Sequence, residues 1–215
     1  KPGDSATAFE LRAVVLPPLM EGQVLIRVAA FGLNFADVMA RRGKYREAPS
    51  FPFIPGYDIV GIVEQVFDED HKHLIGKRVA GFCRFGGYAT AVITSSDALV
   101  EIGEMDTGDA LSLCTQGVTA SYMVDQISEA HNGRFALVHA AAGGVGSLLL
   151  QFLHLKGIKT IAKVSSKEKV SVLNRISPTH IVVSDQHTYD QSVKKILGND
   201  TLIASFNAVA GSTVG

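Results

Sequence analysis

The sequence predicts an α/β chain in two parts, a small barrel-like β domain followed by a doubly wound parallel sheet. Three observations predict it. Before about Met105, short β-branched runs are separated by Gly and Pro turns, whereas strand and helix patterns alternate after it. The later strands are uninterrupted apolar runs, as strands covered on both faces are. Between two of those apolar runs, FALVHA and SLLLQFLHL, the chain inserts the small-residue turn AAGGVG.

In order along the chain, GQVLIRVAAFG (Gly22–Gly32) alternates and then turns apolar, like a strand entering a buried sheet. IVGIVEQV (Ile59–Val66) is a β-branched strand that ends in the polar loop FDEDHKH. GKRVAGF (Gly76–Phe82) and YATAVITS (Tyr88–Ser95) are strands flanking the turn RFGG, and Pro17-Pro18, Pro49, Pro52 and Pro55 punctuate the connections. Strands this short, at this spacing, predict a small barrel. From Met105 the period becomes helical, with Leu111, Cys114, Val118, Tyr122 and Ile127 in step. Then FALVHA is a strand with a helix from about Val145, KTIAKV precedes the helix SSKEKVSVLNRI, HIVVS precedes YDQSVKKIL, and TLIASFNAV is a last strand. The boundary is expected near Asn132, giving domains of residues 1–131 and 132–215.

Composition narrows the function classes. The 215 residues are 47% hydrophobic and 19% charged, an ordinary soluble composition long enough for a sizeable core. With 20 Lys and Arg against 21 Asp and Glu, there is no electrostatic footprint for nucleic acid or anionic lipid. Cys83 and Cys114 lie far apart in apolar contexts, so buried thiols in a reducing, cytoplasmic setting are expected. Neither has a ligand-spaced partner for zinc, and His71 and His73 sit in a charged loop with no third ligand near. The opening KPGDSATAFE has no apolar core of a signal peptide. Phe135–Leu155 is rich in apolar and small residues, but His139, Ser147, Gln151 and His154 interrupt it. Its central glycines would each cost a membrane helix about 1 kcal/mol relative to alanine, so no transmembrane segment is expected.

The glycine turn makes sense at the first strand-to-helix junction of a doubly wound sheet. There the free N–H groups and dipole of the helix favour an anion, and small residues let a dinucleotide pyrophosphate approach the backbone. Gly143 and Gly146 fit the second and third glycines of a GxGxxG fingerprint, with Ala141 in the first place and Gly144 and Val145 between. The strand before, the helix after and the further βα units supply the context of a Rossmann fold. An NAD site carries a carboxylate at the end of the second strand to bind the ribose 2′-hydroxyl. KTIAKV ends instead in Ser165, Ser166, Lys167, Glu168 and Lys169, whose hydroxyls and lysines suit a 2′-phosphate, so NADP(H) is expected. The bland alternative is that Ser166 caps the next helix and the lysines are solvated.

GLNFADVMARRGKY (Gly32–Tyr45), FPFIPGYDIVGIV (Phe51–Val63), GKRVAGF, RFGGYA (Arg84–Ala89), QGVTASY (Gln116–Tyr122) and VHAAAGGVG (Val138–Gly146) follow one another in this order. Together they resemble the zinc-independent branch of the medium-chain dehydrogenase/reductases. Within it they are most similar to the quinone oxidoreductase (zeta-crystallin-like) group and its synaptic-vesicle amine-transport relatives. The resemblance implies a GroES-like catalytic β-barrel joined to a Rossmann domain. It implies too that the chain is a piece, lacking one strand before the part matching Lys1–Arg12 and a section after NAVAGSTVG that completes both domains. In the zinc enzymes of the superfamily a Cys stands where Asn34 is and a His-Glu pair where Tyr57-Asp58 is, so no metal is expected.

What the resemblance implies chemically is hydride transfer from NADPH to a small electron acceptor, a quinone or an α,β-unsaturated carbonyl. Such acceptors spread the incoming charge by conjugation, and hydrogen-bond donors at the developing oxyanion suffice. By resemblance, Asn34 and Thr119 lie beside the nicotinamide and its ribose, and Tyr45 lines the substrate cleft. Each also has a structural reading: Asn34 capping or turning the backbone, Thr119 satisfying a helix carbonyl, Tyr45 in the core. The chain departs from the group at Met39, often Tyr, at Val183-Ser184, commonly Asp-Tyr, and at Asn207, commonly Asp. The rival reading is a weakly active or inactive NADPH-binding protein with a structural or regulatory role. An enoyl reductase for carrier-bound substrates lacks the basic docking patch it needs. A homodimer is expected from the family alone.

Overall fold

The computed structural model describes residues 2–126, 134–183 and 189–207, and the chain divides into two units, Lys1–Thr115 and Gln116–Gly215. The division falls earlier than the expected boundary near Asn132, a position outside the described residues.

The first unit begins with one short helical turn, α1 (Ser5–Ala8), and is built on a five-stranded antiparallel sheet. Its strands are β1 (Gln23–Phe31), β2 (Asp58–Val66), β3 (Arg78–Phe82), β4 (Ala91–Ser95) and β5 (Leu99–Glu101), in the order β4-β1-β2-β3-β5. β2 lies at the centre, and period 2 sends its alternate residues to opposite faces. Ile59 and Val63 join Val24, Ile26, Val79 and Val92 in one apolar cluster. Val60 packs on the other face with Ala80, Ile102, Ala110 and Cys114. Between β3 and β4 the predicted RFGG turn is present, with Phe85 and Gly86 both in the left-handed region (φ 76° and 96°). The short helix α2 (Phe35–Arg41), between β1 and β2, is an element that the alternation of the flanking strands does not announce.

The helical stretch after Met105 differs from expectation. It forms two helices, α3 (Thr107–Ser112) and α4 (Val118–Asp125), separated at Leu113–Gly117 by a kink in which Cys114 has ψ −105°. The kink resets the helical phase. Ala120 and Val124 are consequently the buried residues of α4, while the expected Val118 and Tyr122 are exposed. Ile127 lies outside the described residues.

The second unit carries a parallel sheet of β6 (Phe135–Val138), β7 (Lys159–Val164), β8 (His180–Val183) and β9 (Leu202–Phe206), ordered β8-β7-β6-β9. Both faces are covered. Ala136, Val138, Ala162 and Val164 pack with Leu149, Leu150 and Leu153 of α5 (Gly144–Leu155) and with Ala120 and Val124 of α4. The stretch read as the helix SSKEKVSVLNRI is a 3₁₀ turn, Lys167–Lys169, running into the short α6 (Val170–Leu173). On the opposite face of the sheet Phe135, Leu137, Ile161 and Val182 pack with Val193 of α7 (Tyr189–Leu197). Burying a leucine as completely as Leu150 or Leu153 contributes about 2 kcal/mol. Among the described residues no helix is long and apolar enough to cross a membrane.

Candidate functional site

In the second unit, chain order reverses between β6 and β9. The sheet runs third, second, first, fourth, and in open α/β sheets such a reversal is where a ligand crevice forms, beyond the C-terminal ends of the strands. The turn after β6 is anchored to both neighbouring strands: the His139 N–H donates to the Phe206 carbonyl (2.9 Å) and the Ala141 N–H to the Lys163 carbonyl (3.1 Å). Ala140 takes a left-handed conformation (φ 48°), and the Gly143 N–H closes the turn onto its carbonyl at 2.8 Å. Gly143 then serves as N-cap of α5. The first N–H groups of a helix have no intrahelical partner, so α5 offers those of Gly144, Val145 and Gly146 at this crevice.

One of the glycines is dictated by backbone packing, and a second is in contact with a side chain. A Cβ on Gly146 would lie 2.5 Å from the Ala140 oxygen and 2.9 Å from the Ala141 Cα, so only glycine lets α5 seat against the turn. A Cβ on Gly144 would run into the Gln116 side-chain amide. Gly143 and Gly144 are exposed, Val145 is half-buried, and Ala141 in the first glycine position is fully buried. Gln116 is therefore part of this turn, although its residue type alone does not signal it.

At the end of β7, Lys169 Nζ donates to Ser165 Oγ at 3.0 Å, and both residues are exposed. The expected pair thus comes together as a hydroxyl beside an ammonium, with no carboxylate at the strand end. Ser166 is the N-cap of the following 3₁₀ turn but makes no side-chain cap bond, and its hydroxyl instead helps hold the Glu168 carboxyl below the usual range. Thr119 is exposed on the first turn of α4. On the α7 side, buried His139 meets Tyr189 edge-on (5.3 Å), and Lys163 Nζ lies 4.7 Å from the centre of the same ring. Burial, and then the Lys163 charge, lower the His139 pKa. Val183 ends β8 half exposed, while the neighbouring Ser184 lies outside the described residues.

In the first unit the site is made of side chains. Asn34, the N-cap of α2, is 7% exposed and flanked by two buried carboxylates. Its backbone N–H donates to Asp37 (3.0 Å), and its Nδ2 donates to Asp58 Oδ1 (2.8 Å). Asp58 also accepts the Thr115 N–H at 3.4 Å, and Asp37 the Gly56 N–H at 3.0 Å. The β1–β2 ladder sets this up. Gly32 N–H bonds the Asp58 carbonyl, and a Cβ on Gly32 would fall 2.5 Å from Asp58 Oδ1. Burial raises the pKa of both carboxyls, with repulsion from Asp37 adding to it at Asp58.

Beside this pair runs an aromatic surface. Tyr45 stands edge-on to Tyr57 (6.1 Å), Tyr57 packs on Phe85 (4.8 Å), and Phe85 on Phe53 (5.4 Å). Burial, followed by hydrogen bonding to Tyr45, pushes the Tyr57 phenol well above its ordinary value. Sequence reasoning places Tyr45 here and misses Tyr57, Phe53 and Phe85. The signal for Phe53 and Tyr57 is the aromatic spacing of FPFIPGY, and Phe85 sits in the RFGG turn. Cys83 and Cys114 are buried free thiols, Cys83 Sγ donating to the Gly56 carbonyl (3.5 Å), and burial pushes them up to about 12 and about 11. Among the described residues no three His, Cys, Asp or Glu side chains converge as metal ligands would.

A glycine turn at the switch point of a parallel sheet, preceded in the chain by an antiparallel β unit, is the architecture of a GroES-like domain followed by a Rossmann-like unit. The family profile of the alcohol dehydrogenase GroES-like domain matches residues 20–132, over half of the chain. The chain belongs to that family, in the zinc-independent medium-chain dehydrogenase/reductase superfamily. It is 32% identical over 206 residues to the human synaptic vesicle membrane protein VAT-1 homolog-like, covering 88% of this chain and 49% of the relative. It is 30% identical over 190 residues to the quinone oxidoreductase of Mus musculus, covering 86% of this chain and 57% of that one. Among solved structures, the quinone oxidoreductase of Thermus thermophilus, studied also in its complex with NADPH, is 29% identical with a TM-score of 0.79. That match covers 94% of this chain and 63% of that one. The chain spans about half the length of the curated relatives it matches.

Proposed function

We propose that the protein of which this chain is part is an NADPH-dependent, metal-free oxidoreductase that reduces a quinone or an α,β-unsaturated carbonyl. The observation that carries this reading is the glycine turn at the β6/β9 switch point together with the Ser165–Lys169 pair at the end of β7. The residues fit the cofactor. Gly143 and Gly144 leave room for a pyrophosphate over the N–H groups of α5, and Ser165, Ser166 and Lys169 offer donors and one cation to a 2′-phosphate. The kinship with a quinone oxidoreductase solved with NADPH supports the same choice.

NADPH, when bound, supplies the hydride. The chain's own residues bind and orient. Residues 132–215 hold the nucleotide, and residues 1–131, with Asn34 and Tyr45, face the acceptor. Thr119 contributes at the nicotinamide end. Tyr45, Tyr57 and Phe85 give a planar acceptor an apolar surface to lie on, and the raised pKa of Tyr57 keeps its phenol a proton-bearing donor toward a developing oxyanion. The protein acts as a homodimer in the cytoplasm on this reading.

The binding half of the proposal is tested by titrating the full-length protein with NADPH and NADH. Tighter binding of NADPH by about tenfold or more is expected, and equal affinities would overturn the 2′-phosphate assignment. A second reading is favoured by one finding, the 32% identity to a protein named for the synaptic vesicle membrane rather than for an activity. On it the protein binds NADPH without turning it over.

A further inference from the structure

β7 is an inner strand, paired on both edges, and every residue from Thr160 to Val164 is buried except Lys163, which is half-buried. A charge set into such a strand is costly unless something meets it. The alternation of the strand sends Ala162 and Val164 to the α5 side, and Ile161 and Lys163 to the α7 side. There Lys163 Nζ lies 4.7 Å from the centre of the ring of Tyr189, the first residue of α7. α7 leads from the end of β8 back to the start of β9, so Tyr189 stands at the C-terminal edge of the parallel sheet, the edge that carries the glycine turn. The Lys163 carbonyl, which accepts the Ala141 N–H, ties the residue to that turn.

The surroundings of the ammonium do not use it up. His139 meets the Tyr189 ring edge-on, and its Nε2 lies 3.5 Å from Ser205 Oγ of β9. Asp190, exposed and next along α7, acts on both the Tyr189 phenol and the His139 ring. Among the described residues no carboxylate, Asp190 included, comes within ion-pair distance of Lys163. A ring face steadies a cation without accepting its N–H groups as a carboxylate does. Two residues beyond Lys163 comes Ser165, which the same alternation carries to the same side and which already meets Lys169.

We infer that Lys163 is a second cation of the 2′-phosphate site, an ammonium steadied on Tyr189 that joins Lys169 in binding NADPH. The inference rests on the proposed function for its ligand and adds to the end of β7 one binding residue and its support. A phosphate monoester carries nearly two negative charges at neutral pH, so one lysine leaves part of it uncompensated and a second balances it.

The test titrates the full-length protein with NADPH and with NADH, as wild type and as Lys163→Met, Lys163→Arg and Tyr189→Leu. Lys163→Met keeps the length of the side chain and removes its charge. Its NADPH affinity should fall about tenfold while its NADH affinity, which also reports an intact fold, stays as it was. Lys163→Arg should keep most of the preference, and Tyr189→Leu should lose roughly two- to threefold of it as the cation loses its ring. A second readout does not depend on affinity. The Lys163 charge adds to burial in holding the His139 pKa down, while Asp190 pulls the other way. A phosphate seated on Lys163 offsets that charge, so the His139 ring resonance should titrate at higher pH with NADPH bound than with NADH bound. Equal losses of both cofactors in Lys163→Met, or a His139 titration indifferent to the 2′-phosphate, overturn the inference. A preference that survives Lys163→Met whole removes Lys163 alone and leaves the proposed function standing. A wild type with no preference for NADPH removes the 2′-phosphate site itself, and Lys163 with it.

Discussion

The two units build their sites from different materials. In the second unit the site is backbone: helix N–H groups, a left-handed alanine and glycines whose missing side chains make room. Its core is apolar on both faces of the sheet, and Gly146 is required by the Ala140 carbonyl rather than by any ligand. In the first unit the site is side chains, with Asn34 held between Asp37 and Asp58 beside a row of aromatics. A backbone site tolerates most exchanges around it but not one at Gly146, where a Cβ would meet backbone. A side-chain site tolerates backbone variation and is sensitive to single atoms of charge.

The largest effect that tests this contrast is expected at Gly146→Val. The added atoms collide with Ala140 and Ala141, so the second unit should lose about 3 kcal/mol or more, together with NADPH binding, as read by thermal melting and titration. An undiminished melting temperature would mean that the turn can open, and that the backbone is no fixed template. Next in size, Lys169→Glu places a carboxylate at the end of β7, where Ser165 now meets an ammonium. NADPH affinity should fall by roughly ten- to a hundredfold while NADH changes little. Parallel losses for both cofactors would remove the 2′-phosphate from this position.

Legibility in the sequence follows the same division. The parallel sheet, the helix after it and the glycine turn are readable because strand and helix periods and glycine spacing are local, one-dimensional signals. Asp58 is readable only as the second half of an absent His-Glu pair, since its partner Asn34 is brought to it by the β1–β2 ladder and not by sequence distance. The aromatic row likewise joins Tyr45 to Phe85 through turns that no period announces. The break at Leu113–Gly117 escapes for a different reason. Helical spacing continues through it on paper, while the chain itself resets at Cys114.

A pH series sharpens the comparison further. Burial raises the folded pKa of Asp58, so the folded state holds this proton more tightly than the unfolded chain. The stability this contributes is full below the unfolded carboxyl value of about 3.9 and is lost as pH rises through the folded value. Asp58→Asn removes that pH-dependent loss. Its melting temperature should therefore rise relative to wild type between acid and neutral pH. The opposite trend would show Asp58 stabilised as an anion by contacts stronger than its desolvation. The smallest effect concerns the thiols. With Cys83 and Cys114 buried and pushed up to about 12 and about 11, neither should react with a disulfide reagent under mildly alkaline conditions until the fold is opened by denaturant.

The most direct measurement is the loss of nicotinamide absorbance when the full-length protein is mixed with NADPH and a small ortho-quinone, then an alkenal, with NADH as control. Turnover with NADPH and little with NADH is the predicted result. Clear NADPH binding with no turnover on either acceptor would contradict hydride transfer and leave a binding protein in its place.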